Sequence, residues 1–132
     1  MDFTILIVDD EQSIRESLAE LLMSHFGKKC HCLHVGSAEE ALQVFQKKKP
    51  NLVMTDILLP KMNGIDLTRK LRELKHETPV IVFSGGGEGD AIVKHVLLDA
   101  AANYGAISTL PKPFDIHQML ISVERALNFS TK

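Results

Sequence analysis

Ile5-Leu6-Ile7-Val8-Asp9-Asp10 is the stretch on which the fold turns. An unbroken apolar run this short, rich in β-branched residues, reads as a strand buried on both faces. It stops on two carboxylates. Three more apolar runs each end on a polar residue that can handle phosphate or metal. Leu52-Val53-Met54-Thr55 ends on Asp56, and Val80-Ile81-Val82-Phe83 ends on Ser84. Ile107-Ser108-Thr109-Leu110 leads through Pro111 to Lys112.

Amphipathic segments separate these runs. Ser13 to Phe26 carries Ile14, Leu18, Leu21, Leu22 and His25 at helical spacing, and Gly27 stops it. Cys30 to Val35 is a further strand, mixed in polarity. Ser37, with Glu40 three residues on, reads as a capping box opening a helix with Ala38, Ala41, Leu42 and Phe45 on its apolar face; Pro50 closes it. Pro60 and Asn63-Gly64 predict a loop and turn. Ile65 to Leu74 is a helix offering Ile65, Leu67, Leu71 and Leu74 for packing. Thr78-Pro79 precedes the fourth strand. Gly85-Gly86-Gly87-Glu88-Gly89 reads as flexible loop, and Asp90 caps a fourth helix ending near Gly105. Asp115, with Gln118 three later, caps a last helix bearing Ile116, Leu120, Val123 and Leu127.

Five strand–helix units predict one α/β domain over residues 1–132, with its core at about 3–127. The expected architecture is a single doubly wound five-stranded parallel sheet, flavodoxin-like, with helices on both faces. In such sheets the ligand site lies beyond the carboxyl ends of the strands, where strand order reverses. An order 2-1-3-4-5 puts the first and third strands side by side. Asp9, Asp10 and Asp56 then meet, with Ser84 and Lys112 on the same flank.

Length and composition agree with this. A chain of 132 residues buries roughly two-thirds of its unfolded surface, so it needs no disulfide or metal staple. A formal charge of −2 removes any electrostatic case for nucleic acid or an anionic membrane as the main partner. Met1-Asp2-Phe3-Thr4 has no basic flank, and no stretch approaches the ~20 apolar residues of a membrane span. A cytoplasmic protein with two reduced cysteines is expected.

Three clustered carboxylates repel one another and call for a cation. Oxygen-only ligation points to Mg²⁺, with Mn²⁺ the alternative. A metal there supports phosphoryl transfer, in which an aspartate can be the nucleophile. Lys112 can hold a phosphoryl oxygen as a point charge, and the Ser84 hydroxyl can donate to another. Taken singly, each residue has a plainer role: an aspartate at a strand end caps a helix or turn, Ser84 is a loop residue, and Lys112 is a solvated lysine. Agreement among four strand ends favours the shared site.

Ile7-Val8-Asp9-Asp10-Glu11, Asp56 through Gly64, Ser84-Gly85 and Leu110-Pro111-Lys112-Pro113-Phe114 together resemble the receiver domain of bacterial two-component response regulators. The resemblance spans Phe3 to about Leu127. It implies that Asp56 is the phosphoacceptor and that Asp10, Asp56 and the Leu58 carbonyl bind Mg²⁺, with Asp9 at or near the metal. It makes Ser84 the switch hydroxyl and Lys112 the phosphate-binding lysine, and implies a cis peptide before Pro113. The implied donor is a sensor histidine kinase or phosphotransfer protein. The implied output runs through the fourth helix, fifth strand and last helix to a downstream domain or protein, with a homodimer as a further option. A stand-alone receiver and one belonging to a longer regulator would read alike.

Two departures from the family stand out. Thr109 occupies the position, three before the lysine, where the family carries an aromatic. The stretch from Ser84 to Lys112 is several residues longer than usual. Two other functions remain open. One is a Mg²⁺-dependent phosphohydrolase working through an aspartyl phosphate; against it, the acidic pair is adjacent and no insertion could cap a substrate. The other is a degenerate receiver that only binds partners.

Cys30, Cys32 and His34 share one strand face, with His31 on the other, but their spacing is unlike that of zinc sites. An i,i+2 disulfide is disfavoured on a strand. His25, His76, His95 and His117 are scattered, and the five methionines read as core filler.

Overall fold

Along Phe3–Val8 the side chains alternate between two buried layers, and that alternation organises the molecule. The computed structural model describes residues 1–75, 77–83, 108–110 and 115–127. Within them lie β1 (Phe3–Val8), β2 (Cys30–Val35), β3 (Leu52–Asp56), β4 (Val80–Phe83) and β5 (Ser108–Leu110). All pair in parallel, in the order β2-β1-β3-β4-β5. The expected doubly wound sheet is the observed one.

Leu6, Val8, Val53, Val80 and Val82 face one layer, which α2 (Ala38–Lys48) and α3 (Gly64–Leu74) cover with Ala41, Phe45, Leu67 and Leu71. Ile5, Ile7, Met54, Ile81 and Phe83 face the other, covered by Leu18 and Leu22 of α1 (Gln12–Phe26) and by Met119 and Val123 of the last helix (Ile116–Ala126). Full burial of each such side chain contributes about 1.5–3 kcal/mol, which is why the two-sided strands dominate the core.

The helix ends follow local chemistry. Ser37 Oγ accepts from the Glu40 amide at 3.2 Å, while the Glu40 carboxylate reaches the Gly36 amide at 3.2 Å, one residue before the expected capping-box partner. Asp115 accepts from the amides of both His117 and Gln118. Gly27, at φ +82°, ends α1 in a conformation that favours glycine. Asn63-Gly64 differs from expectation. Asn63 is the N-cap of α3, its side chain accepting from Asp66, and Gly64 is the first helical residue rather than part of a turn.

The periodic pattern overstated some faces. His25, Leu74 and Ile116 are exposed, and each lies in the first or last turn of its helix. Met119 takes the core position on the last helix. Met54 and Met119 are buried, but Met1 and Met23 are exposed, so only some methionines fill the core. The glycine loop 85–89, the fourth helix, the peptide before Pro113, and His76 and His95 lie outside the described residues.

Candidate functional site

The register of β1 and β3 builds the site. Val8 pairs with Thr55, so the next residues, Asp9 just past β1 and Asp56 at the end of β3, stand side by side, and Asp10 follows. One carboxylate oxygen from each of Asp9, Asp10 and Asp56 lies within 4.8 Å of the other two. Asp9 and Asp56 are buried, at 0% and 4% exposure, and Asp10 is open to solvent. Carboxylates roughly 5 Å apart repel by a few kcal/mol per pair at an effective dielectric of about 20. Oxygen donors converging at this spacing, partly walled from water, fit a hard divalent cation such as Mg²⁺.

Both buried carboxylates are oriented by the backbone two residues on. The Glu11 amide donates to Asp9 Oδ1 at 2.9 Å, and the Leu58 amide donates to Asp56 Oδ1 at 3.2 Å. These are Asx-type turns, so the bland expectation for a strand-end aspartate is met together with the clustering. The cap of α1 falls to Glu11, which makes no side-chain cap bond.

Neighbouring elements hold the backbone around Asp56. Asp56 pairs with Phe83 of β4, and the Ile57 amide donates to the Phe83 carbonyl at 2.8 Å. Thr55 Oγ1 donates to the Asp56 carbonyl at 2.9 Å. The Gly64 amide donates to the Ile57 carbonyl at 2.8 Å. A β-carbon at Gly64 would stand 2.5 Å from the Asp56 carbonyl oxygen and 2.7 Å from Ile57 Cα. The first turn of α3 is therefore pressed against the peptide that follows Asp56, and only glycine permits it.

Ser84 and Lys112 lie outside the described residues. Phe83, immediately before Ser84, pairs with both Asp56 and Leu110, and Leu110 stands two residues before Lys112. Thr109 is half-buried on β5, opposite Val82. Leu58, two residues beyond Asp56, is 41% exposed.

Two contributors were not foreseen. Arg15 Nη1 donates to the Asp9 carbonyl at 2.8 Å. An arginine in the first turns of an amphipathic helix gives no local sign of such a contact. Gly64 carried a signal, but its turn-like Asn-Gly setting pointed elsewhere.

Cys30 and Cys32 are free thiols with sulfurs 3.9 Å apart on the α1 side of β2. His34, on the same strand, is exposed and accepts from Arg15 Nε. Among the described residues, the metal-competent group is the aspartate trio. Burial raises the Cys30 thiol pKa, and burial together with its neighbour pushes Cys32 up to about 12. Native Cys32 should therefore resist iodoacetamide at pH 8 and react fully in urea, as followed by mass spectrometry. A raised thiol pKa favours the neutral folded form. Its contribution to stability is complete below the unfolded value of 9.0 and is lost as pH climbs toward about 12.

Comparison with known proteins shows the family. The family model of the response regulator receiver domain matches residues 5–124. The chain belongs to that family. It is 36% identical over 126 residues to the transcriptional regulatory protein FixJ of Rhizobium meliloti, covering 95% of this chain and 57% of FixJ. It is 33% identical to the DNA-binding transcriptional regulator NtrC of Azospirillum brasilense, over 97% of this chain and 25% of NtrC. The chain thus spans from a quarter to just over half of the length of these relatives. Among solved structures, a response regulator receiver domain protein from Clostridium thermocellum superposes with a TM-score of 0.85 at 26% identity, covering 98% of this chain and 97% of that one. The receiver domain of NtrX from Brucella abortus gives 0.81 at 30% identity, covering 96% and 99%.

Proposed function

We propose that this receiver domain is a phosphoryl-accepting switch in which Asp56 is the acceptor. The single observation that carries the proposal is the trio Asp9, Asp10 and Asp56, gathered within 4.8 Å at the strand-order reversal. The Asp56 carboxylate attacks phosphorus, the bond from phosphorus to a partner's phosphohistidine nitrogen breaks, and an acyl phosphate forms on Asp56. The Leu58 amide, donating to Oδ1, orients the nucleophile. Asp9, Asp10, Asp56 and the Leu58 carbonyl would hold Mg²⁺, or Mn²⁺ in its place. When bound, the cation neutralises charge on the carboxylates and on the entering phosphoryl oxygens. Lys112 would hold one phosphoryl oxygen and Ser84 would donate to another.

The donor is a sensor histidine kinase or phosphotransfer protein in the cytoplasm. The phosphorylated state biases a two-state equilibrium read by a downstream domain or protein through the face around β5 and the last helix. With Thr109 half-buried on β5, the readout does not run through an aromatic rotamer at that position.

Incubation with acetyl phosphate and Mg²⁺ should add one phosphoryl mass, and EDTA should abolish the uptake. Rapid multiple turnover on phosphomonoesters would instead identify a phosphohydrolase. Uptake without any cation dependence would remove the metal from the scheme.

Leu58 also bears on the lifetime of the acyl phosphate. This leucine lies two residues beyond Asp56 with an apolar, 41% exposed side chain, and we propose that this side chain hinders the attacking water. Leu58→Asn should shorten the phosphoryl half-life severalfold, measured by decay of the phosphorylated mass. An equal or longer half-life would show that Leu58 does not shield the bond.

A further inference from the structure

The backbone of Asp9 is held on both sides of its α-carbon. The Asp9 amide donates to the Val35 carbonyl at the end of β2, at 3.2 Å. The Asp9 carbonyl accepts from Arg15 Nη1 at 2.8 Å. Arg15 is itself fixed, because its Nε donates to Nδ1 of His34 on β2 at 3.0 Å. Gly36 makes room for this arrangement: a β-carbon there would stand 3.2 Å from Arg15 Nη1. One guanidinium thus ties α1, β2 and the β1 exit together.

We propose that Arg15 is a positioning residue for the divalent cation, holding the peptide unit from which the Asp9 and Asp10 carboxylates project, with His34 locking Arg15 in place. The inference rests on the acidic trio being the cation site. Two effects of Arg15 oppose each other. Its charge repels a cation, but Arg15 is only partly buried, so water and salt weaken that repulsion. Its hydrogen bond preorganises two ligands, and loss of a partner that orients a ligand typically weakens metal binding about 10- to 100-fold. Preorganisation should therefore win.

The test is Mn²⁺ affinity of the purified chain by electron paramagnetic resonance, for the parent, Arg15→Gln, His34→Ala, His34→Gln and Asp56→Asn. Arg15→Gln should bind Mn²⁺ about tenfold more weakly or worse. His34→Ala should lose part of the affinity, and His34→Gln, whose amide oxygen can accept from Arg15 Nε, should recover it. A metal-free readout accompanies these: exchange of the Glu11 amide, bonded to Asp9 Oδ1, should quicken in Arg15→Gln. The exposed His34 pair keeps the test informative if Arg15→Gln folds poorly. Parent-like or tighter binding by Arg15→Gln and His34→Ala, or no recovery in His34→Gln, overturns the proposal. If the parent binds no Mn²⁺, or Asp56→Asn binds as tightly as the parent, the acidic site itself is misassigned and the inference falls with it.

Discussion

Asp56→Asn should take up no phosphoryl group from acetyl phosphate under conditions expected to label the parent completely. The amide is nearly isosteric with the carboxylate, and its oxygen still accepts from the Leu58 amide, so the Asx turn survives. What disappears is the proposed nucleophile and one negative charge of the cluster. Losing that charge relieves repulsion among carboxylates within 4.8 Å, so the metal-free variant should unfold at the same urea concentration as the parent or a higher one. The parent should be stabilised by added Mg²⁺, as any ligand of the native state stabilises it, and the variant should respond far less. Mass spectrometry and urea unfolding with and without Mg²⁺ read both effects. Labelling of Asp56→Asn at the parent's rate would place the acceptor elsewhere.

The second large effect is expected at Gly64. Gly64→Ala puts a methyl group 2.5 Å from the Asp56 carbonyl oxygen and 2.7 Å from Ile57 Cα, both backbone atoms that cannot swing aside. Either the first turn of α3 retreats or the peptide after Asp56 shifts. Overpacking of this kind costs about 1–3 kcal/mol, visible as a lower urea midpoint. Because the displaced peptide carries the proposed acceptor, the rate of phosphoryl uptake should fall by about tenfold or more. Gly27→Ala is the matching control. Gly27 sits at φ +82°, and a β-carbon added there would meet nothing within 4 Å, so its substitution strains only the end of α1. It should cost about 1 kcal/mol and leave uptake unchanged. Equal losses of uptake in both variants would show that general destabilisation, and not the contact with Asp56, is responsible.

Much of this molecule was legible in its residues because the decisive signals are local. The run Ile5–Val8 has no polar interruption, so it had to be a strand covered on both faces, and β1 is. The aspartates at the ends of two such runs could be placed together once the strand order was expected to be 2-1-3-4-5, and they do converge. The Ser37 and Asp115 caps needed only the next few residues to be recognised.

Other features depend on contacts that no local pattern encodes. Asn63-Gly64 has the composition of a turn, but the end of β3 lies against it, and that close approach makes it the start of a helix. Leu74 and Ile116 keep the apolar period yet are exposed at the last and first positions of their helices, since period alone does not fix which turns are covered. Arg15 reaches the Asp9 carbonyl only because α1 crosses beside β2, bringing His34, nineteen residues away, to its other nitrogen. The sequence by itself determined the parallel sheet and the three carboxylates, since hydrophobic period and strand-end position are properties of short segments. The tertiary structure alone decided what holds those carboxylates in place, because Gly64 and Arg15 act through atoms that only the packing of separate elements brings within reach.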